Sequence, residues 1–300
     1  MTILNNTSDG LHPELIVLCR TVAFLGKINA DELLQVCFPN GVSDTSATTR
    51  LRGALLRWTQ LGLFVETDNC ISLNDKFAKA RKEEIDVFTS KLPTFCRRLV
   101  LEDKNAFPFW GESSALAGDF VRGITWLLAQ NLYALPTTWT GGAESLENVQ
   151  ITGNKKIVQN DTRWTNLRFW ARYLGFASGD SGTFQIDPTV AIRDELPLIF
   201  GTQKEMSAKD FLTALSTQLP VLDNGVYRRE VESNLNIETW RKPSEGHLSM
   251  SLSFALRRLD LSGEIKLKVQ ADAVSSVRLT GQDYRTWIGF ESLVWSGGGV

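Results

Sequence analysis

The sequence has little of what metal, disulfide or acid–base chemistry draws on. It holds four cysteines, Cys19, Cys37, Cys70 and Cys96, which show neither paired metal-ligand spacing nor the density of a disulfide scaffold. A reducing cytoplasm is the simplest setting for such a set. The two histidines, His12 and His247, stand apart from any metal-ligand spacing and suit surface or capping positions. A Walker loop, a GxSxG elbow, an HExxH helix and a CxxC pair are all missing. Gly141-Gly142 and the glycines of residues 296–299 lack the preceding strand that a phosphate-binding turn needs. Glu264-Ile265-Lys266 has the ExK form of some nucleases, but no upstream acidic strand accompanies it. Catalytic residues, metal and cofactor are therefore expected to be none.

Long apolar runs and a charge excess are missing too. Residues 15–25 are apolar but too short to span a bilayer and are broken by Arg20. Residues 1–12 are polar and lack the regions of a signal peptide. No membrane segment is expected. The formal net charge is only -2, so no whole-molecule field draws the chain onto nucleic acid, and any such contact must come from a local patch.

What is present is core-forming material. An apolar fraction of 43% with nine tryptophans describes a folded protein, and 300 residues are enough for two or three domains. Pro13 inside a helix start, followed by Leu15, Leu18, Cys19, Val22 and Leu25, predicts a first helix that stops at Gly26. Asn29 can cap a second that ends at Pro39-Asn40-Gly41. Ala47, Leu51, Ala54, Leu55, Trp58 and Leu61 stripe a third over 45–61, closed by Gly62. Two short apolar runs, 63–66 and 70–73, then read as a hairpin across Thr67, Asp68 and Asn69. Three helices and a hairpin is the winged-helix order.

The pattern repeats. Leu61-Gly62-Leu63 matches Leu174-Gly175-Phe176, and without a gap Ile71-Ser72-Leu73-Asn74 matches Phe184-Gln185-Ile186-Asp187. Trp164, Leu167, Ala171 and Leu174 form the inner stripe of the second copy, residues 178–182 its hairpin tip, and residues 116–135 a long opening helix. A third copy is expected from helices over 207–219, 226–235 and 248–259, with Ile265, Leu267 and Val269 alternating and residues 277–279 returning beside them. The expected fold class is mainly α with small β hairpins (α+β), built as tandem winged-helix modules joined by helical connectors. The modules span 1–75, 113–200 and 201–300, and residues 76–112 form a helical connector that packs through Phe77, Ile85, Phe88 and Leu92.

In DNA-binding winged helices the third helix enters the major groove and the wing touches the backbone. On the first such helix Arg50 and Arg57 share one edge, Arg52 lies on the other, and Leu56 points outward, while the wing tip carries Asp68 and no cation. Solvated arginines would give the same pattern. The second such helix carries Phe169, Trp170 and Tyr173 outward among Arg163, Arg168 and Arg172, a set that could stack bases, anchor a protein interface or simply bury. Arg257, Arg258, Lys266 and Lys268 make the densest basic cluster. Arg50, Arg52, Arg57, Arg257, Arg258, Lys266 and Lys268 are the candidate nucleic-acid contacts, and Leu56, Phe169, Trp170 and Tyr173 the candidate partner contacts.

Ile3-Leu4-Asn5 and Ser8-Asp9-Gly10-Leu11, running into the 15–25 helix and the Leu61-Gly62-Leu63-Phe64 junction, resemble DpdG, an accessory protein of bacterial dpd clusters. Those clusters place 7-deazapurines in DNA and restrict unmodified DNA. The resemblance implies a phage-defence component working beside helicase-like and nuclease-like partners, with no catalytic residues to carry over. The leading expectation is a non-enzymatic, DNA-associated adaptor that docks DNA and other protein subunits, with room for a homodimer. The alternatives are a protein-interaction tandem winged-helix subunit of an SMC-like complex, a winged-helix transcription regulator, and a metal nuclease using Glu264 and Lys266.

Overall fold

Helices interleaved with short antiparallel strands make up the chain, as the alternation of the two periodicities requires. The computed structural model describes residues 2–5, 12–38, 45–77, 84–111, 115–151, 153, 155–180, 182–269 and 276–297. The expected turn at 39–41, the 8–11 segment, Ser181 in the second hairpin tip, residues 270–275 that lead into the expected return at 277–279 and the end of the glycine tail lie outside these residues. Among the described residues no helix is long and apolar enough to cross a membrane. The chain divides into two units, Met1–Phe120 and Val121–Val300.

The first unit opens with α1 (His12–Leu25), β1 (Ile28–Asn29) and α2 (Ala30–Cys37), followed by α3 (Thr45–Leu61), β2 (Phe64–Thr67) and β3 (Cys70–Leu73). Asn29 caps α2 as expected, its side chain accepting from the backbone N–H groups of Asp31 and Glu32. The hairpin is tighter than expected. Asp68 and Asn69 alone form the turn, both left-handed at φ 53 and 58, the conformation a two-residue hairpin loop demands. β1 adds to the hairpin to give a sheet of order β1-β3-β2. Leu15, Leu18 and Val22 on α1, with Leu51, Ala54 and Trp58 on α3, are all buried, and the two helices pack together.

The connector is interrupted. A single turn at Asp75–Phe77 precedes α4 (Ile85–Val100) and α5 (Asp103–Ala106). Phe77, Phe88 and Leu92 are buried as expected, while Ile85 is only half-buried. Asn105 holds two helix ends, its amide donating to Leu61 O at 3.1 Å and Leu99 O at 2.8 Å. The segment before α1 is also pinned: Ile3 N–H donates to Leu116 O at 3.1 Å and Leu4 N–H to Asp119 Oδ2 at 3.2 Å.

The second unit takes in most of α6 (Gly118–Leu128), then α7 (Glu144–Gln150), α8 (Asp161–Tyr173), β4 (Ala177–Ser178) and β5 (Gln185–Ile186). It continues through α9 (Thr189–Phe200), β6 (Glu205–Ser207), α10 (Ala208–Gln218), α11 (Val226–Glu232) and α12 (Met250–Leu261). It ends with β7 (Ile265–Lys268), β8 (Val277–Thr280), β9 (Thr286–Phe290) and β10 (Ser292–Trp295). The helix expected to run to residue 135 stops at Leu128, where Asn131 turns the chain by accepting from Tyr133 N–H at 3.0 Å. Glu147 staples the loop after α7, its carboxylate accepting from the N–H groups of Ile157, Val158 and Gln159.

The internal echo is a structural one. Each of α3, α8 and α12 ends in a left-handed glycine, with φ 95 at Gly62, 80 at Gly175 and 77 at Gly263. The next N–H then reaches back to the last turn: Leu63 to Trp58 O at 2.8 Å, Phe176 to Ala171 O at 2.8 Å and Glu264 to Leu259 O at 3.0 Å. This is the six-to-one closure of a Schellman cap. The strand that returns closes onto the same residue through Asn74 N–H to Leu63 O, Asp187 N–H to Phe176 O and Ser296 N–H to Glu264 O.

That last bond corrects the expected third hairpin. Residues 277–279 do not return beside β7. β8 pairs with β9, and β7 pairs with β10. The third hairpin therefore carries an inserted second hairpin between its strands. With β6 added, the sheet order is β6-β10-β7, the counterpart of β1-β3-β2. The likeness extends to the entry of the following helix, where Ala208 N–H donates to Glu291 O as Ala30 N–H does to Asn69 O. α9 packs on α10 and α12 as α1 packs on α2 and α3.

Gly263 isolates the conformational cost of these caps, since a Cβ there would meet nothing within 4 Å. Gly263→Ala is expected to destabilise the protein by about 1–2 kcal/mol, the cost of a left-handed non-glycine residue, read as a lowered urea midpoint with an unchanged slope.

Candidate functional site

The candidate residues fall into three groups. On α3, Arg52 is exposed and makes no ion pair among the described residues. Arg50 is half-buried and donates to Glu14 Oε1 at 2.8 Å and to Ser46 Oγ at 3.0 Å. Arg57 departs from expectation: it is only 5% exposed and is not presented to a phosphate. It lies about 40° around the helix from Leu61, close enough to the apolar stripe to be covered by it. Leu56 is 61% exposed, as expected. The hairpin beyond carries exposed Glu66 and Asp68, an acidic tip.

On α8 the expected outward aromatic face is largely turned inward. Trp170 is 1% exposed and packs edge-on against Tyr173 at 5.7 Å. Phe169 and Tyr173 are half-buried. Trp170 holds the repeat position of Arg57, and it too lies about 40° from the stripe, measured from Leu174. Its bulk widens the buried arc. Arg168 stacks over the Phe184 ring at 4.9 Å, and burial with Arg172 nearby lowers its guanidinium pKa from the ordinary value. This face is mostly core of the second unit, with Phe169 and Tyr173 at its edge.

The third group, on α12 and β7, comes together with acids both near in sequence, Asp260 and Glu264, and far from it, Asp187 and Glu205. Arg257 pairs with Asp260 at 2.9 Å, and Lys266 lies 3.9 Å from the same carboxylate. Arg258 donates to Asp187, the residue that closes the β4–β5 hairpin. Lys268 pairs with Glu205 at 2.7 Å. Arg193 grips both oxygens of Glu264. Four carboxylates thus face five cations, and Lys266, with a side chain 74% exposed, is the least committed of them. Arg257 also lines a shallow depression of about 380 Å³ with Trp287 and Ile288. Trp287 is 41% exposed, a stacking surface beside a cation that no periodicity in the sequence marks, because it sits on the inserted β8–β9 hairpin.

Other chemistry finds little support in the geometry. Glu264 of the ExK triplet is engaged by Arg193 and Ser262. Among the described residues no group of three or more His, Cys, Asp and Glu is arranged to hold a metal. Burial pushes the Cys19 and Cys96 thiols well up and the Cys37 thiol up, away from the thiolate that nucleophiles and ligands require. Both ring nitrogens of His247 are occupied, one by Glu245 O and the other by Thr286 Oγ1.

Residues 1–273 match the model of a protein family described as DpdG-like. No curated protein and no solved structure matches the chain.

The Arg193–Glu264 pair gives this cluster a pH signature. Hydrogen bonds from Arg193 hold the Glu264 carboxyl below its ordinary value of 4.5. Its contribution is therefore complete above the unfolded-state pKa and is lost as pH falls through the lower folded value. Denaturant midpoints of the native protein and Glu264→Gln should differ most at neutral pH and converge below about pH 4. A gap unchanged down to pH 3 would show that the pair does not stabilise the fold.

Proposed function

The chain belongs to the DpdG-like family, and from that premise we propose that it is a non-enzymatic, DNA-associated adaptor of a dpd system, built from tandem winged-helix modules. Family membership associates the chain with dpd modification systems. The winged-helix reading is supported by the recurring order of helix, short strand, helices and hairpin, with α11 as an additional helix and β8–β9 as an inserted hairpin in the last copy, and by sheets ordered β1-β3-β2 and β6-β10-β7. In that reading α3, α8 and α12 are the third helices and the hairpins after them the wings.

The observation that carries the DNA half is the cation-rich wing of the last module, where Lys266 and Lys268 alternate outward on β7 beside Arg257 and exposed Trp287. Phosphates would be met by the lysines and an unpaired base by Trp287. The acids threaded among these cations must be displaced or tolerated when DNA docks, so the reading is of weak binding that relies on partner proteins. Leu56, Phe24 and Val36, respectively 61%, 81% and 52% exposed, favour a partner face on the first unit. The same exposure supports the second reading, a pure protein-interaction module of the kind that serves SMC-like motors.

Duplex DNA affinity, measured by anisotropy at low salt, should fall steeply with salt and drop several-fold in Lys266→Glu/Lys268→Glu. Each lost phosphate contact should flatten the log–log salt slope by about 0.9. Glu205→Gln, which releases Lys268, should move affinity the opposite way. A DNA affinity indifferent to all three changes would leave the interaction-module reading standing.

A further inference from the structure

A second feature of the C-terminal unit lies apart from the basic wing. A cavity of about 180 Å³ opens where the end of α6, α7, the start of α12 and the β8–β9 hairpin meet. A dry cavity of about 150 Å³ accommodates one benzene ring, so this volume suits a single small planar ring system, well short of a drug-sized ligand.

Its lining is that of a recognition pocket. Two flat π surfaces border it. The Trp240 indole is 5% exposed and fixed by its N–H to Ala129 O at 2.9 Å. The Arg241 guanidinium lies 4.0 Å over the Tyr284 ring. Tyr284 and the preceding Asp283 both have left-handed backbone, at φ 60 and 56. That is a strained conformation for a bulky residue, and strain of this kind gathers at binding sites.

Polar groups are provided at fixed positions. Gln150 accepts from Trp126 Nε1 and donates to Gln130 Oε1, both at 2.8 Å, and Gln130 donates to Trp126 O at 3.0 Å. The relay orients both amides, and each side chain keeps a second N–H beyond it. Thr280 also lines the cavity. It is 5% exposed, and its hydroxyl is buried without a hydrogen-bond partner. Buried polar atoms are almost always satisfied, so an orphaned hydroxyl enclosed just behind a cavity wall calls for an explanation.

We propose that this cavity binds a nucleobase-sized planar heterocycle carrying both hydrogen-bond donors and acceptors, with exposed Arg241 at its mouth meeting the phosphate of a nucleotide. Stacking on fixed aromatic surfaces supplies sequence-tolerant affinity. The oriented amides read the edge of the ring, joined by the Thr280 hydroxyl once its side chain turns toward the cavity. The nucleotide can be free or part of a single strand, and the pocket shares no side chain with the cations of the basic wing.

The test is calorimetric titration of the full chain with the four deoxynucleoside monophosphates and with a single-stranded oligonucleotide, intact or carrying one abasic position. Binding of a free monophosphate identifies a nucleotide pocket. Binding of the oligonucleotide alone, weakened by the abasic position, identifies a base presented on a strand. In either case Thr280→Val should weaken binding about tenfold while leaving the melting temperature unchanged or raised, because the hydroxyl it removes is unpaired in the empty protein. Leu146→Trp should fill the cavity and abolish binding, whereas Lys266→Glu/Lys268→Glu should leave monophosphate binding unaltered. The proposal is overturned if neither probe binds, or if Thr280→Val and Leu146→Trp both bind like the native protein.

Discussion

A helix that ends inside a protein leaves its last carbonyls without intrahelical partners, and those groups must be satisfied by something else. In the C-terminal unit this requirement falls on the end of α6, and meeting it sets the positions of much that follows. Leu128 O accepts from Arg228 Nη1 at 3.1 Å and from Ser251 Oγ at 2.6 Å. Ala129 O accepts from Trp240 Nε1. The three donors come from α11, from α12 and from the segment between them, 100, 123 and 111 residues away in sequence. Arg228 is itself 1% exposed, bonded to Glu232 and facing Asp223, which in turn holds the N–H and hydroxyl of Ser249 at the cap of α12. A buried charge is tolerable only when paired in this way, so the network fixes the register of α11 and α12 on α6. The N-terminal unit applies the same solution on a smaller scale, with Asn105 holding the ends of α3 and α4.

What the sequence made legible was whatever is settled within about fifteen residues. A left-handed glycine, an apolar stripe and a hairpin are local events, which is why the echo of residues 61–74 in residues 174–187 corresponds to matching hydrogen bonds and not to a chance likeness. The third copy was expected but with the wrong returning strand, because its two hairpin strands, β7 and β10, are separated by the β8–β9 insertion. Nothing in the alternation of Ile265, Leu267 and Val269 reveals which later strand will pair with it. The closing residue changes from Asn74 and Asp187 to Ser296, yet the Ser296 hydroxyl still donates to Gly263 O as the Asn74 amide does to Gly62 O. The constraint is conserved between the copies while the residue that meets it is not.

Surface residues were harder to assign, for two separate reasons. Arg57 and Trp170 sit at the same repeat position on the margin of the stripe, and a helical wheel cannot say which side of the margin a large side chain will take. Packing covers both of them. The second reason is distance in sequence. The partners of Arg258, Lys268 and Arg193 lie 71, 63 and 71 residues away, so a cluster that reads as bare positive charge is in the folded chain a lattice of alternating signs.

That lattice bears directly on what the proposed wing can do. Counterion release rewards a protein for each phosphate it neutralises, but a lysine already paired with a carboxylate must either exchange partners or bring the acid along. Exchange returns only the difference between two ion pairs, and surface pairs are worth about 0–1 kcal/mol each. An unaided encounter with DNA would therefore be weak and readily reversed at physiological salt. Weak intrinsic docking suits a subunit delivered to DNA by its partners better than one that searches alone, because a tethered site needs only enough affinity to orient what is already nearby. The same economy fits the inferred pocket, where stacking on fixed aromatic surfaces demands no unpairing of charge.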